Sequence, residues 1–377
     1  MRHLFVTVDY PPDLGGMARR HVELCRRLAP DGVTVSTVAA ESAASFDDAE
    51  KYPIAREAFS FRGARTFANR LRWARSIARR TAHVDVVHCG NIRPCGYSVL
   101  LARRGGAARV PLLLYVNGGD LLREREKIAV SALKRMFVRR LLQNAAGIVA
   151  NSAWTAETTK VLCASLGIAA DDRIAAIDLG TDPAQFRPEN DRGTLRARLG
   201  WQDNVIVTTV ARLVPHKGQD VALRAIAAVL RQYPSVRYLV VGDGPNEQTL
   251  RALAAELGIA ERVAFAGALS DDEVAEAYAT ADVYMGLSRE QGLDVEGFGI
   301  SFVEAAASGT PVIAGDSGGV RSAVRDGETG IVVMPNDTDA AAAALRLLLG
   351  DEARRQRMGA AGRRAVETHY NWDRVAR

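Results

Sequence analysis

The sequence predicts an α/β protein made of two Rossmann-like, doubly wound parallel-sheet domains facing a cleft. Three observations carry that expectation. At 377 residues the chain is too long for one ordinary domain and long enough for two. Short β-rich apolar runs alternate with longer helical patterns, the order expected of parallel strands joined by crossover helices. The alternation breaks off at a stretch rich in Pro, Gly and Asp, then begins again.

The first series of strands reads HLFVTV from residue 3, VTVSTVA from 33, VDVVH from 84, PLLLYV from 111 and AGIVA from 146. The second reads NVIVTTVA from 204, VRYLVVG from 236, RVAFAG from 262, ADVYMGL from 281, PVIAG from 311 and GIVVM from 330. Between them, Leu179 to Gln202 lacks a sustained apolar period and reads as a linker. The resulting division is 1–182 for the first domain, 183–355 for the second, and 356–377 for a helical tail that could pack across both. In open parallel sheets ligands bind beyond the carboxyl ends of the strands, so the residues following each strand hold the functional information.

Hydrophobic residues at 48% and charged residues at 25% exclude a disordered or low-complexity chain. No apolar run approaches the roughly 18 residues of a membrane span, and no signal-peptide core precedes the first strand, so a soluble, cytoplasmic protein is expected. Cys25, Cys89, Cys95 and Cys163 are scattered, with no CxxC pair or histidines at zinc spacing, so neither a disulfide framework nor a metal is expected. The net charge of +5 is uneven: residues 1–180 hold 27 Lys/Arg against 17 Asp/Glu, and residues 181–377 hold 22 against 27. A basic first half points to an anionic partner.

Three motifs follow strands. Gly15 and Gly16 open a helix after the first strand, where a backbone without side chains lets a ligand approach the helix N-terminus. The loop RLVPHKGQD places Arg212 and Lys217 where two cations suit a diphosphate. GLDVEGFGISFVEAAASGTPVIAG, residues 292–315, sets Gly297 and Gly299 ahead of a helix closed by Gly309 and Pro311. Its dipole favours phosphate, while Glu296 and Glu304 can accept hydrogen bonds from paired sugar hydroxyls. Taken singly, each has a plain alternative: a strand-to-helix turn, a solvated basic loop, a surface helical Glu.

Together the Glu296/Glu304 pair, the Arg212/Lys217 loop, the GG loop and VGDGP (241–245) resemble the retaining glycosyltransferases of family 4, which have the GT-B fold. The resemblance covers nearly the whole chain, and within the family the wording is similar to phosphatidylinositol mannosyltransferases, which use GDP-mannose. It implies Arg212 and Lys217 on the donor diphosphate, Glu296 on the donor sugar and Glu304 on the ribose. It also implies Gly15 and Gly16 near the phosphates, backbone amides of Phe298, Gly299 and Ile300 on sugar and phosphate, and the base against Gly267, Ala268 and Leu269. It implies no metal and no cofactor, and front-face displacement in which the leaving phosphate takes the acceptor proton. The partner expected is a nucleoside-diphosphate sugar, GDP-mannose or a UDP-sugar, with a lipid, glycan or small-molecule acceptor.

The chain departs from the family at Asn117 in YVNGGD, where a histidine is usual beside the donor sugar; Asn can donate a hydrogen bond but cannot carry a proton charge. His88 could reach the cleft but reads more readily as structural, and His216 as solvent-facing. Residues 61–80 hold seven arginines and no acid, with Phe67, Leu71, Ala74 and Ala78 at helical spacing. That fits either peripheral membrane contact or an ordinary helix with a basic outer face. KIAVSALKRMFVRRLL from Lys127 adds to the same half, and no nucleic-acid module accompanies either stretch. Two other readings stay open: a phosphorylase or epimerase on the same fold, and a non-catalytic sugar-nucleotide-binding protein.

Overall fold

The computed structural model describes residues 1–12, 15–59, 61, 66–103 and 110–377, which fall into two compact units. The first comprises Met1–Asp178 with Val375–Arg377, the second Leu179–Arg374.

The first unit is a seven-stranded sheet built from β1 (His3–Val6), β2 (Val33–Val38), β3 (Ile54–Glu57), β4 (Val86–Cys89), β5 (Leu112–Val116), β6 (Gly147–Ala150) and β7 (Ile174–Ala176). The order is β3-β2-β1-β4-β5-β6-β7 and every pairing is parallel. Central strands β1 and β4 are buried throughout, which is why they read as mainly apolar runs, with His3 and His88 as the buried exceptions. The outer strands β3 and β7, absent from the sequence expectation, are only partly buried and carry Arg, Glu or Ala. An edge strand with one open side needs no continuous apolar run, so composition does not announce it.

The second unit is a six-stranded parallel sheet of β8 (Val205–Val210), β9 (Val236–Val241), β10 (Val263–Gly267), β11 (Val283–Gly286), β12 (Val312–Gly315) and β13 (Gly330–Val333). Its order is β10-β9-β8-β11-β12-β13. All six follow the runs expected from the sequence. Tyr238, Val240, Met285 and Ile313 share one core with Leu223, Ile226 and Leu345 from helices. The stretch read as a linker is different. Phe186, Leu195 and Trp201 are buried, and Thr194–Leu199 is a helix closed at both ends by glycines, so the whole stretch belongs to the second unit. Six helical residues are too few to show a period, and that short helix went unseen for this reason.

Candidate active site

In a doubly wound sheet, neighbouring strand-end loops part where the strand order reverses. In the second unit that point lies between β8 and β11, because the chain runs outward from β8 to β9 and β10 before returning to the other side of β8. The loop after β8 carries Arg212 and Lys217, and the loop after β11 carries Ser288 and Glu296. The two loops meet. Lys217 Nζ donates to Glu296 Oε2 at 2.6 Å, and Ser288 Oγ donates to the same oxygen at 3.1 Å. Burial alone would raise the Glu296 pKa. The Lys217 ammonium and the Ser288 hydroxyl outweigh it and hold the carboxyl below its ordinary value, so it is an ionised acceptor at neutral pH.

The backbone around this pair explains its placement. Pro215–Lys217 form one turn of 3₁₀ helix that ends on Gly218, which has φ +72°. A Cβ there would run into the Leu287 carbonyl oxygen. Gly218 therefore lets the Lys217 turn lie directly on the chain leaving β11. Helix Ile300–Ala307 begins after Gly299 at φ +89°, with the Phe302 ring packed where a side chain would stand. Phe298 turns its ring into the core, leaving only its backbone for a ligand. The Gly319 amide donates to the Glu296 carbonyl at 2.8 Å, bracing the loop from behind.

Glu304 lies on that same helix and is partly buried, accepting a hydrogen bond from Tyr278 Oη at 2.9 Å, so it is held in place rather than left as a surface Glu. Arg212 keeps an exposed side chain. Its backbone neighbours Ala211 and Leu213 are pressed by Gly242 and Gly244 of VGDGP, where any Cβ would strike their carbonyl oxygens. The Gly242 amide donates to the Gly267 carbonyl at 2.8 Å, which brings VGDGP beside the Gly267–Leu269 loop. Ala268 is exposed there and Leu269 packs partly against Leu195 and Trp201. Ser288, Tyr278, Gly218 and Gly319 were not singled out from the sequence. The GG pair at 318–319 was the one available signal, since a Ser or Tyr at a strand end or in a helix looks like any other.

In the first unit, Gly15 caps the helix Gly16–Leu28, and Met17 in its first turn accepts a hydrogen bond at Sδ from Asn117 Nδ2 at 2.9 Å. Asn117 follows β5 and stands at the N-cap of the helix Gly118–Ala129, so the GG loop and Asn117 form one group. His88 sits within β4, buried, with Nε2 2.9 Å from His3 Nδ1 and Nδ1 2.9 Å from Tyr115 Oη. Burial first, then the neighbouring histidines, depress its pKa to about 3. His88 is a structural residue. The solvent-facing reading of His216 is corrected: it is buried, because the Pro215–Lys217 turn folds it under the loop, and burial followed by the Lys217 charge lowers its pKa.

The basic segment forms the helix Thr66–Thr81, with Arg62 and Arg65 outside the described residues. Its buried side is Trp73, Ala74 and Ile77, while Phe67, expected on the apolar face, is exposed. The second basic stretch is two helices parted at Val130, the later one being Ala132–Asn144 capped by the Ser131 hydroxyl. Among the described residues no helix is long and apolar enough to cross a membrane, and no group of three His, Cys, Asp or Glu side chains is placed to hold a metal.

Two parallel-sheet units, one with a switch point bearing a partly buried Lys–carboxylate pair, a glycine-led helix N-terminus and a second carboxylate on that helix, place the chain in the GT-B class. The chain belongs to glycosyltransferase family 4: residues 14–185 match the family described as Glycosyltransferase Family 4, and residues 191–365 match Glycosyl transferases group 1. It is 34% identical over 384 aligned residues to a GDP-mannose-dependent alpha-(1-6)-phosphatidylinositol monomannoside mannosyltransferase of Mycobacterium tuberculosis, covering 100% of this chain and 96% of that one. It is 31% identical to a GDP-mannose-dependent monoacylated alpha-(1-6)-phosphatidylinositol monomannoside mannosyltransferase of Corynebacterium glutamicum, covering 98% and 94%. The crystal structure of Anabaena HepE in complex with UDP and glucose superposes with a TM-score of 0.79 at 21% identity, covering 100% of this chain and 97% of that one, which shows the GT-B fold.

Proposed function

We propose that the protein is a retaining, metal-independent hexosyltransferase. It moves a hexose from a nucleoside-diphosphate sugar to an acceptor hydroxyl, with the donor held by the second unit and the acceptor by the first. The similarity to proteins named as GDP-mannose-dependent favours GDP-mannose over a UDP-sugar. The observation that carries the reading is the Lys217–Glu296–Ser288 contact at the head of helix Ile300–Ala307, which gathers a cation, an ionised carboxylate and helix-start amides at one switch point.

In this reading Arg212 and Lys217 meet the charge that grows on the departing diphosphate, work a metal ion performs elsewhere. Glu296 accepts hydrogen bonds from donor-sugar hydroxyls, and Glu304, steadied by Tyr278, accepts from the ribose. Gly15 and Gly16 give the phosphates close access, the amides of Phe298, Gly299 and Ile300 contact sugar and phosphate, and Asn117 donates to the sugar. The base lies against Gly267 and Leu269. The acceptor oxygen bonds to the anomeric carbon on the face the diphosphate leaves, and its proton passes to the departing phosphate oxygen. No protein base is then required, in keeping with a His88 that is buried and bound to His3 and Tyr115.

Calorimetry with GDP and UDP tests the division of roles. Glu304→Ala weakens nucleotide binding itself, whereas Glu296→Ala spares it and loses transfer. Equal losses of nucleotide affinity would overturn the assignment. Turnover unchanged by chelator, and a product with the donor's anomeric configuration by NMR, check the other two parts.

A further inference from the structure

Outside the site just described, the first unit has a cavity of about 190 Å³ walled by Phe67, Tyr97, Leu101, Leu133 and Phe137, with Arg70, Arg93 and Lys134 around it. It lies among three helices: Thr66–Thr81, Tyr97–Arg103 and Ala132–Asn144. Its walls are almost wholly apolar, and an apolar cavity of about 150 Å³ already holds a benzene-sized guest. The surface beside it is apolar too. Phe67 is 62% exposed, Leu133 63% and Met136, one turn from Leu133, 38%. Val130, just before the same helix, is 84% exposed. These are four of eight large hydrophobic side chains exposed among the described residues, so half of them lie in one region.

That apolar region is set in positive charge. Helices Thr66–Thr81 and Ala132–Asn144 carry nine Lys and Arg between them and no acid. Glu124 is ion-paired through one carboxylate oxygen with Arg93, which lines the cavity, and with Lys127, at 3.2 Å each. Arg70 lies over the Tyr97 ring at 5.3 Å, on the cavity wall. Lys134 stands beside Leu133, which is at once wall and exposed surface.

We infer that this cavity takes the end of one acyl chain from an anionic membrane lipid, with Arg70 and Lys134 on the headgroup phosphate and Phe67, Val130, Leu133 and Met136 in the lipid surface. A partner with an apolar tail and a negative head matches both halves of the lining, and a soluble sugar phosphate would match only one. The inference deepens the proposed function by naming a lipid as the molecule the first unit meets. It rests on that reading only for the transfer step, because lipid binding is measured without donor.

The test uses the full chain and a series of single-chain phosphatidylglycerols of increasing acyl length, kept below their micelle concentrations, with glycerol phosphate as the headgroup alone. Affinity is expected to rise about fourfold per methylene until the cavity is filled. Leu133→Glu and Phe67→Glu, both at exposed positions, should lower affinity for the longest chain at least tenfold and flatten the chain-length dependence. Hydrogen-exchange protection of β1 and β4 in the first unit should stay as in the wild type, which shows that the variants remain folded. Affinity independent of chain length, or glycerol phosphate binding as well as the longest chain, overturns the inference. So does equal binding of single-chain phosphatidylcholine. If lipid binds as expected and no sugar is transferred, the transferase reading fails and the acyl site stands.

Discussion

Lys217 and Arg212 share a loop but stand in different surroundings. Glu296 depends on Lys217 for its charge balance, whereas the Arg212 side chain is exposed. Replacing either by alanine removes a cation from the diphosphate and should lower kcat/KM by about a hundredfold or more. Their stabilities should part. Lys217→Ala strands a largely buried carboxylate and is expected to cost about 1–3 kcal/mol, while Arg212→Ala leaves the melting temperature unchanged. Thermal unfolding of the two variants side by side checks this; a Lys217→Ala protein that melts with the wild type would mean that Glu296 does not rely on the pair.

Two short segments set the geometry of the site, and both depend on a glycine that ends or starts a helix. At Gly218 a side chain meets two obstacles, the left-handed backbone and the Leu287 carbonyl. Gly218→Ala should therefore destabilise the second unit by more than about 1 kcal/mol and, by lifting the Lys217 turn away from the chain after β11, weaken transfer beyond what the stability loss explains. Activity measured well below the melting temperature separates the two effects. Full activity in that variant would show that the turn adapts without moving Lys217.

For the molecule as a whole, acid is the sensitive direction. His21 and His88 are buried in the first unit, with pKa values depressed to about 3 by burial, helped by neighbouring positive groups. A histidine whose folded pKa lies below its unfolded value of 6.5 contributes its full stability above pH 6.5 and loses it progressively as the pH falls toward 3. At pH 5 that loss is about 2 kcal/mol for each histidine. Glu296 acts in the same sense at lower pH, since its depressed pKa stabilises the second unit above its ordinary value of 4.5 and ceases to do so below it. Hydrogen exchange should thus show β1 and β4 losing protection between pH 7 and pH 5, before the strands around Glu296 respond. Equal loss of protection in both units over that interval would count against the histidines as its cause.

Composition and periodicity were enough for the two parallel sheets, because central strands buried on both faces are mostly apolar; the edge strands Ile54–Glu57 and Ile174–Ala176 escape that demand and stayed hidden. Motif order was likewise enough to name the family and to single out Arg212, Lys217, Glu296 and Glu304 as candidates, since glycines and charges at strand ends leave a local trace. What lies far apart in the chain left none. The separation of 79 positions between Lys217 and Glu296 is closed by strand order, Ser288 joins them from the loop after β11, and Tyr278 reaches Glu304 from a separate helix. The burial of His88 and His216 also followed from which elements pack over them, and so did the gathering of Phe67 and Leu133 at one apolar cavity. Sequence patterns report what each segment needs from its surroundings, and only the folded chain supplies the neighbours that meet the need.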